Sequence, residues 1–232
     1  MKDQYFGDIN DYRKYGLIRS ILLSYRFRLL VAWMLTPDDA SSDGKFTDYL
    51  SKPSQWRSHD RELYEELQRL MNQNVSRKVA LIEQTKLLTG TSYFSRIVPD
   101  SFNNRVSWSE ELLSKAEDFD LVFLDPDNGL EVKSKPYGRK GSSKYLYLRE
   151  VNSLWTQRKS LLIYQHFCRL ERTIFIERIK QSLYENAKGS FVSAFATPHV
   201  VFFLVLQPEH QIHQGTIATN VHRNWGAQIR HS

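Results

Sequence analysis

Four apolar residues in a row, Leu121-Val122-Phe123-Leu124, run directly into Asp125-Pro126-Asp127-Asn128-Gly129. So short and unbroken a run suits a strand buried on both faces, as in a parallel sheet covered by helices on either side. Leu29 to Leu35 stops in the same way at Thr36-Pro37-Asp38-Asp39, and Ser160 to Tyr164 stops at Gln165-His166-Phe167. Lys78 to Ile82 reads as a further short strand. Helical spacing lies between these runs: apolar residues at 17, 18, 21, 22 and 25, a stripe of Leu63, Tyr64, Leu67, Leu70 and Met71 within 56–71, and further helices over 108–117, 151–155 and 172–186. Ser190 to Thr197 and Val200 to Leu206, split only by Pro198-His199, read as an antiparallel pair. Strands alternating with helices predict a three-layer α/β sandwich around a mostly parallel sheet, closed by a C-terminal antiparallel strand pair. One domain is expected over 1–232, with its core at about 14–206 and a loosely packed polar tail at 207–232.

Charge and cysteine content narrow the function classes. The excess of 32 Lys+Arg over 26 Asp+Glu gives a net charge of +6, which favours a polyanion such as nucleic acid over a neutral metabolite. A lone Cys168 leaves no intramolecular disulfide or cysteine zinc cluster and reads as a small buried residue. No apolar stretch is long enough for a membrane span, and Met1 to Asp11 is polar and acidic rather than signal-like, so a cytoplasmic protein is expected.

In an open parallel sheet, ligands bind beyond the carboxyl ends of the strands. The residues expected there are Thr36, Asp38 and Asp39; Glu83 and Gln84; Asp125, Asp127 and Asn128; and Gln165 and His166. His166 is placed across the crevice from Asp125, where a neutral imidazole could take a proton. Between Val132 and Arg149, the cations Lys133, Lys135, Arg139, Lys140, Lys144 and Arg149 are interleaved with Tyr137, Tyr145 and Tyr147, a composition that suits phosphates and unpaired bases. Asp8, Asn10, Asp11, Arg13 and Lys14 precede or open the first helix; Asp11 is the expected cap, and the group could also line the crevice. His210 and His213 read as surface residues.

With its Asp-Pro strand end and terminal antiparallel pair, the chain resembles the class I, Rossmann-like S-adenosylmethionine-dependent methyltransferases. In members acting on exocyclic amines of bases the motif is Asp/Asn-Pro-Pro-Tyr/Phe, and here Leu124-Asp125-Pro126-Asp127-Asn128 stands in its place. Phe6-Gly7-Asp8-Ile9-Asn10-Asp11-Tyr12-Arg13-Lys14-Tyr15 is similar to the segment before the first strand in ribosomal RNA adenine methyltransferases. The resemblance implies that Asp125 and Pro126 hold a target amine, that Thr36 and Asp38 border the cofactor, and that Glu83 takes its ribose. Asp127 departs from the second proline, and Leu35-Thr36-Pro37-Asp38-Asp39 contains no glycine, the nearest being Gly44. The same acids also allow a metal-dependent nuclease or phosphodiesterase, with Asp125, Asp127 and Glu131 around Mg²⁺ or Mn²⁺ and Lys133 and His166 nearby. A third reading is a non-catalytic nucleic-acid-binding or assembly module.

Overall fold

A computed structural model describes residues 1–39, 44–73 and 76–232. Its strands are β1 (Leu29–Ala32), β2 (Thr91–Phe94), β3 (Leu121–Leu124), β4 (Gly129–Leu130), β5 (Tyr145–Leu146), β6 (Ser160–His166), β7 (Phe191–Ala196), β8 (Val200–Leu206) and β9 (Arg230–His231). The helices are α1 (Ile9–Ser24), α2 (Pro53–Trp56), α3 (Arg61–Asn72), α4 (Ala80–Glu83), α5 (Phe102–Ala116), α6 (Leu148–Thr156), α7 (Arg172–Asn186) and α8 (Gln214–Trp225). Seven strands form one sheet in the order β2-β1-β3-β6-β8-β7-β9, and β4 pairs with β5 in a small separate sheet. The first four run parallel, whereas β8 is antiparallel to both β6 and β7.

Alternate strand residues feed two cores, as the pleat requires. Leu29, Val31, Leu121, Phe123 and Leu162 pack with α1, α3 and α8, while Leu30, Ala32, Val122, Leu124, Leu161 and Ile163 pack with α5, α6 and α7. The result is the expected three-layer, Rossmann-like sandwich. Gly16 lets α1 and α8 approach closely, for a Cβ there would lie 2.0 Å from the Trp225 ring.

Several local expectations are corrected. Residues 78–82 are not a strand: Val79 and Ile82 lie three apart and share one buried helical face at α4. The strand beside β1 is instead Thr91–Phe94, an edge strand whose only fully buried residue is Phe94, so it carries little apolar signal. The tail from 207 is not loose, since α8 buries Ile217, Val221 and Trp225 and β9 pairs with β7. Asp8, not Asp11, caps α1, accepting from the amides of Asn10 and Asp11. Cys168 is exposed. His210 and His213 are half-buried, with Ser160 Oγ 2.8 Å from His210 Nδ1 and the His213 ring stacked on Tyr25. No helix among the described residues is long and apolar enough to cross a membrane.

Candidate functional site

Because β2 and β3 lie on opposite sides of β1, the carboxyl ends of β1 and β3 define the switch point at which open α/β sheets usually admit ligands. That point is filled by the chain itself. The Met1 nitrogen lies 3.2 Å from both the Met34 and the Asp125 carbonyls, and the Thr36 amide donates to the Met1 carbonyl at 2.9 Å. Asp38 accepts from the Gln4 amide, while Glu83 accepts from Trp33 Nε1 at 2.8 Å and the Ser95 hydroxyl at 2.6 Å. Thr36, Asp38 and Glu83 are thus engaged by the protein and do not line the pocket described next. With the crevice closed by backbone and no glycine in its turn, these residues do not fit S-adenosylmethionine at this position.

The open space lies beside it, as a cavity of about 290 Å³ at the ends of β3 and β6 and the start of α1. Asp8, Asn10, Asp11, Lys14, Asp125, Pro126, Asp127, Asn128, Tyr164 and His166 line it, with Met1, Tyr5 and Phe46 completing the wall. The structure therefore brings Asp125 to Asn128 together with His166, and adds the N-terminal acids and lysine.

Each side chain is held for a physical reason. Asp125 leaves β3 on the face that α1 covers, and Lys14 reaches it at 2.8 Å while also holding Asp11 at 2.7 Å. The second Asp11 oxygen accepts from the Gly7 amide at 3.0 Å and the Tyr15 hydroxyl at 3.3 Å. Burial alone would lower the Lys14 pKa, but the two carboxylates outweigh it and raise it above its ordinary value, so the ammonium stays charged. Burial pushes Asp11 up despite Lys14, and burial together with Asp11 raises Asp8 to about 6. His166 lies 3.2 Å from the Tyr164 hydroxyl through Nε2. The residue is exposed, yet desolvation by its crowded surroundings lowers its pKa, leaving a neutral imidazole at pH 7 that can accept a proton.

The loop is shaped by Gly129, whose φ of 113° suits glycine and whose Cβ would strike the Gln165 side chain at 2.4 Å. Gln165 in turn accepts from the Leu130 amide at 2.7 Å, so β6 clamps the far end of the Asp-Pro-Asp-Asn-Gly turn. The carboxylate of Asp127 has the Met1 nitrogen, Lys2 and Lys144 at 3.9, 3.7 and 3.8 Å. Its Oδ1 nevertheless has no hydrogen-bond partner although the side chain is only 3% exposed, and Asn10 Oδ1 is buried without one as well.

Glu131 is absent from the pocket wall and accepts from the Leu148 amide at 2.9 Å. Strand β4 pairs in parallel with β5, not with β3, so the nuclease-like halves do not share a paired ribbon. No group of three or more His, Cys, Asp or Glu among the described residues is arranged to hold a metal ion.

The basic loop meets the pocket at Lys144. Asn128 donates its amide to the Lys144 carbonyl at 2.9 Å, and Asp100 accepts from the Gly141 and Ser143 amides at 2.8 and 2.7 Å. Lys133, Lys135, Arg139 and Lys140 are exposed and make no ion pair among the described residues. Tyr137 and Tyr147 are not free stacking platforms, because they pack edge to face around Arg105. Arg105 is fully buried and holds Glu150 through two bonds of 2.7 and 2.8 Å.

Sequence reasoning missed the Lys14 bridge, the Gln165 clamp and the walls formed by Tyr5, Phe46 and Tyr164. A signal existed for the first: Asp11 and Lys14 stand among Tyr12, Tyr15, Leu17 and Ile18, in a helix whose apolar residues fall on every side and leave no separate polar face. No protein-family model matches the chain, and no curated protein matches it.

Proposed function

We propose that this protein binds nucleic acid, seating an unpaired base in the pocket at the ends of β3 and β6 while the loop at 133–149 holds the phosphates. The scaffold is methyltransferase-like, and the reading does not include S-adenosylmethionine. The observation that carries it is the bond from Asn128 in the pocket wall to Lys144, at the end of a loop whose Lys133, Lys135, Arg139 and Lys140 are exposed and make no ion pair among the described residues. Cations of this kind neutralise phosphates without reading sequence, whereas a pocket with aromatic walls and fixed polar groups reads a base. Phe46, 65% exposed and stacked on His199, stands at the rim where such a base would enter.

Fluorescence anisotropy with a labelled single-stranded oligonucleotide across a salt series tests this reading. Affinity falls steeply with salt, and the Lys135→Ala, Arg139→Ala, Lys140→Ala triple variant flattens the logarithmic slope by about 2. An unchanged slope reduces the loop to solubilising surface. Titration with S-adenosylmethionine gives no heat and no rise in melting temperature; saturable binding would restore the transferase reading.

A further inference from the structure

We infer that Asp127 and Asn10 form a base-selective subsite that takes guanine by its pairing edge. The inference rests on the nucleic-acid reading above and names which base the pocket accepts.

The argument begins with unmet hydrogen bonds. A buried polar atom without a partner has lost its water and gained no bond in return, and few survive in a folded protein without a reason. Two belong to residues of the pocket wall, Asp127 Oδ1 and Asn10 Oδ1, and both are acceptors. Asp127 is 5% exposed, lines the cavity, and comes off the turn that Gly129 and Gln165 clamp, so it is held in place rather than free to seek a partner elsewhere. The cations at 3.7 to 3.9 Å balance its charge without bonding Oδ1.

The ammonium groups of the wall, by contrast, are engaged, the Met1 nitrogen lying 3.2 Å from both the Met34 and the Asp125 carbonyls. Lys14 is divided between Asp11 and Asp125, and Lys2 is bound to Asp39. A phosphate or other acceptor-rich group entering here would meet the carboxylates of Asp8, Asp11, Asp125 and Asp127. The occupant must therefore bring N–H groups, and two of them to satisfy both acceptors.

Among the common bases only guanine carries two adjacent donors on its pairing edge, N1–H and the 2-amino group. Adenine and cytosine each offer one amine beside an acceptor nitrogen, and uracil offers one N–H flanked by two carbonyls. An acceptor facing another acceptor is worse than an empty site, because both lose water and gain nothing. The pocket thus selects by rejection as well as by attraction.

Guanosine, inosine, adenosine, cytidine and uridine, compared by calorimetry, test the inference without involving phosphates. Guanosine binds, and inosine, which differs only by the missing 2-amino group, binds about tenfold more weakly, as expected for one lost bond to a buried acceptor. Asp127→Asn turns an acceptor toward a donor and removes the preference, while Asn10→Ala, at a half-buried position, reduces it. Equal affinity for guanosine and inosine overturns the inference, as does no detectable guanosine binding or a preference that survives Asp127→Asn. The two readings fail separately. Salt-dependent oligonucleotide binding with no guanosine preference sinks the subsite alone. Guanosine preference without salt-dependent binding sinks the nucleic-acid reading and leaves a nucleoside site.

Discussion

The two halves of the carboxyl edge of the sheet close in different ways. Above β1 the covering group is backbone: the Met1 carbonyl and nitrogen pair with Thr36, Met34 and Asp125, and the Val98 amide pairs with the Leu35 carbonyl at 2.8 Å. Backbone brings donors and acceptors in equal number, so it can seal a crevice without remainder. Above β3 and β6 the covering groups are side chains, and four of them are Asp8, Asp11, Asp125 and Asp127. Carboxylates bring acceptors only, and the local donors run out before the acceptors do. An open site is what that imbalance leaves. Burial of charge is not the mark of it, because the Arg105 and Glu150 pair is equally buried yet packed against the rings of Trp108, Tyr137 and Tyr147.

Three variants probe this contrast further. The largest effect is expected at Lys14. Lys14→Met leaves Asp11 and Asp125 facing one another without their cation, and the loss should reach about 3–5 kcal/mol in a denaturant titration, as for other broken buried pairs. A change too small to resolve would mean that water already screens the pair.

Gly129→Ala comes next. A left-handed φ and the clash with Gln165 together should cost about 1–3 kcal/mol and weaken guanosine binding by displacing Asp127. Adding Gln165→Ala should recover part of the loss, since the two positions touch and are not additive. Simple additivity would show that the backbone angle alone matters.

The smallest effect is at Asp8, where the sign depends on pH. The ordinary carboxyl value of 3.8 is raised to about 6 in the folded chain, so the native state holds its proton more tightly than the unfolded one. Stability therefore falls as pH rises from about 4 to about 6, and the charged carboxylate carries its full cost above that. Asp8→Asn keeps an effective cap and removes the charge. Its melting temperature should exceed that of the wild type at pH values above about 7 and match it below about 4. The same difference at both ends would trace the effect to capping instead. His166 acts in the opposite sense: its lowered pKa stabilises the fold at neutral pH and is lost as pH falls below about 6.5, so wild-type melts should be read against a His166→Gln control.

Five strands were legible because each rests on an apolar run: 29–35, 120–124, 160–164 and 200–206 are largely buried, and 190–197, whose strand is buried only at its centre, was read from its pairing with 200–206; each contains or overlaps an observed strand. Asp125, Asp127, Asn128 and His166 were legible as one site because the ends of neighbouring parallel strands must meet at one edge. Thr36 and Glu83 followed from the same logic and miss the pocket, Thr36 because Met1 covers it and Glu83 because its segment is helical.

The sequence by itself determined the three layers, the position of the Asp125 turn and the exposed cations beside it, since these depend on local apolar period and on charge, which hold wherever the chain runs. Only the tertiary structure decided that Met1 seals the crevice above β1, that Lys14 joins Asp11 to an Asp125 lying 111 residues beyond Lys14, and that Asp127 is left with an unmet oxygen. Those facts depend on how donors and acceptors distant in the chain are counted against one another once water has gone, and no local pattern holds that count.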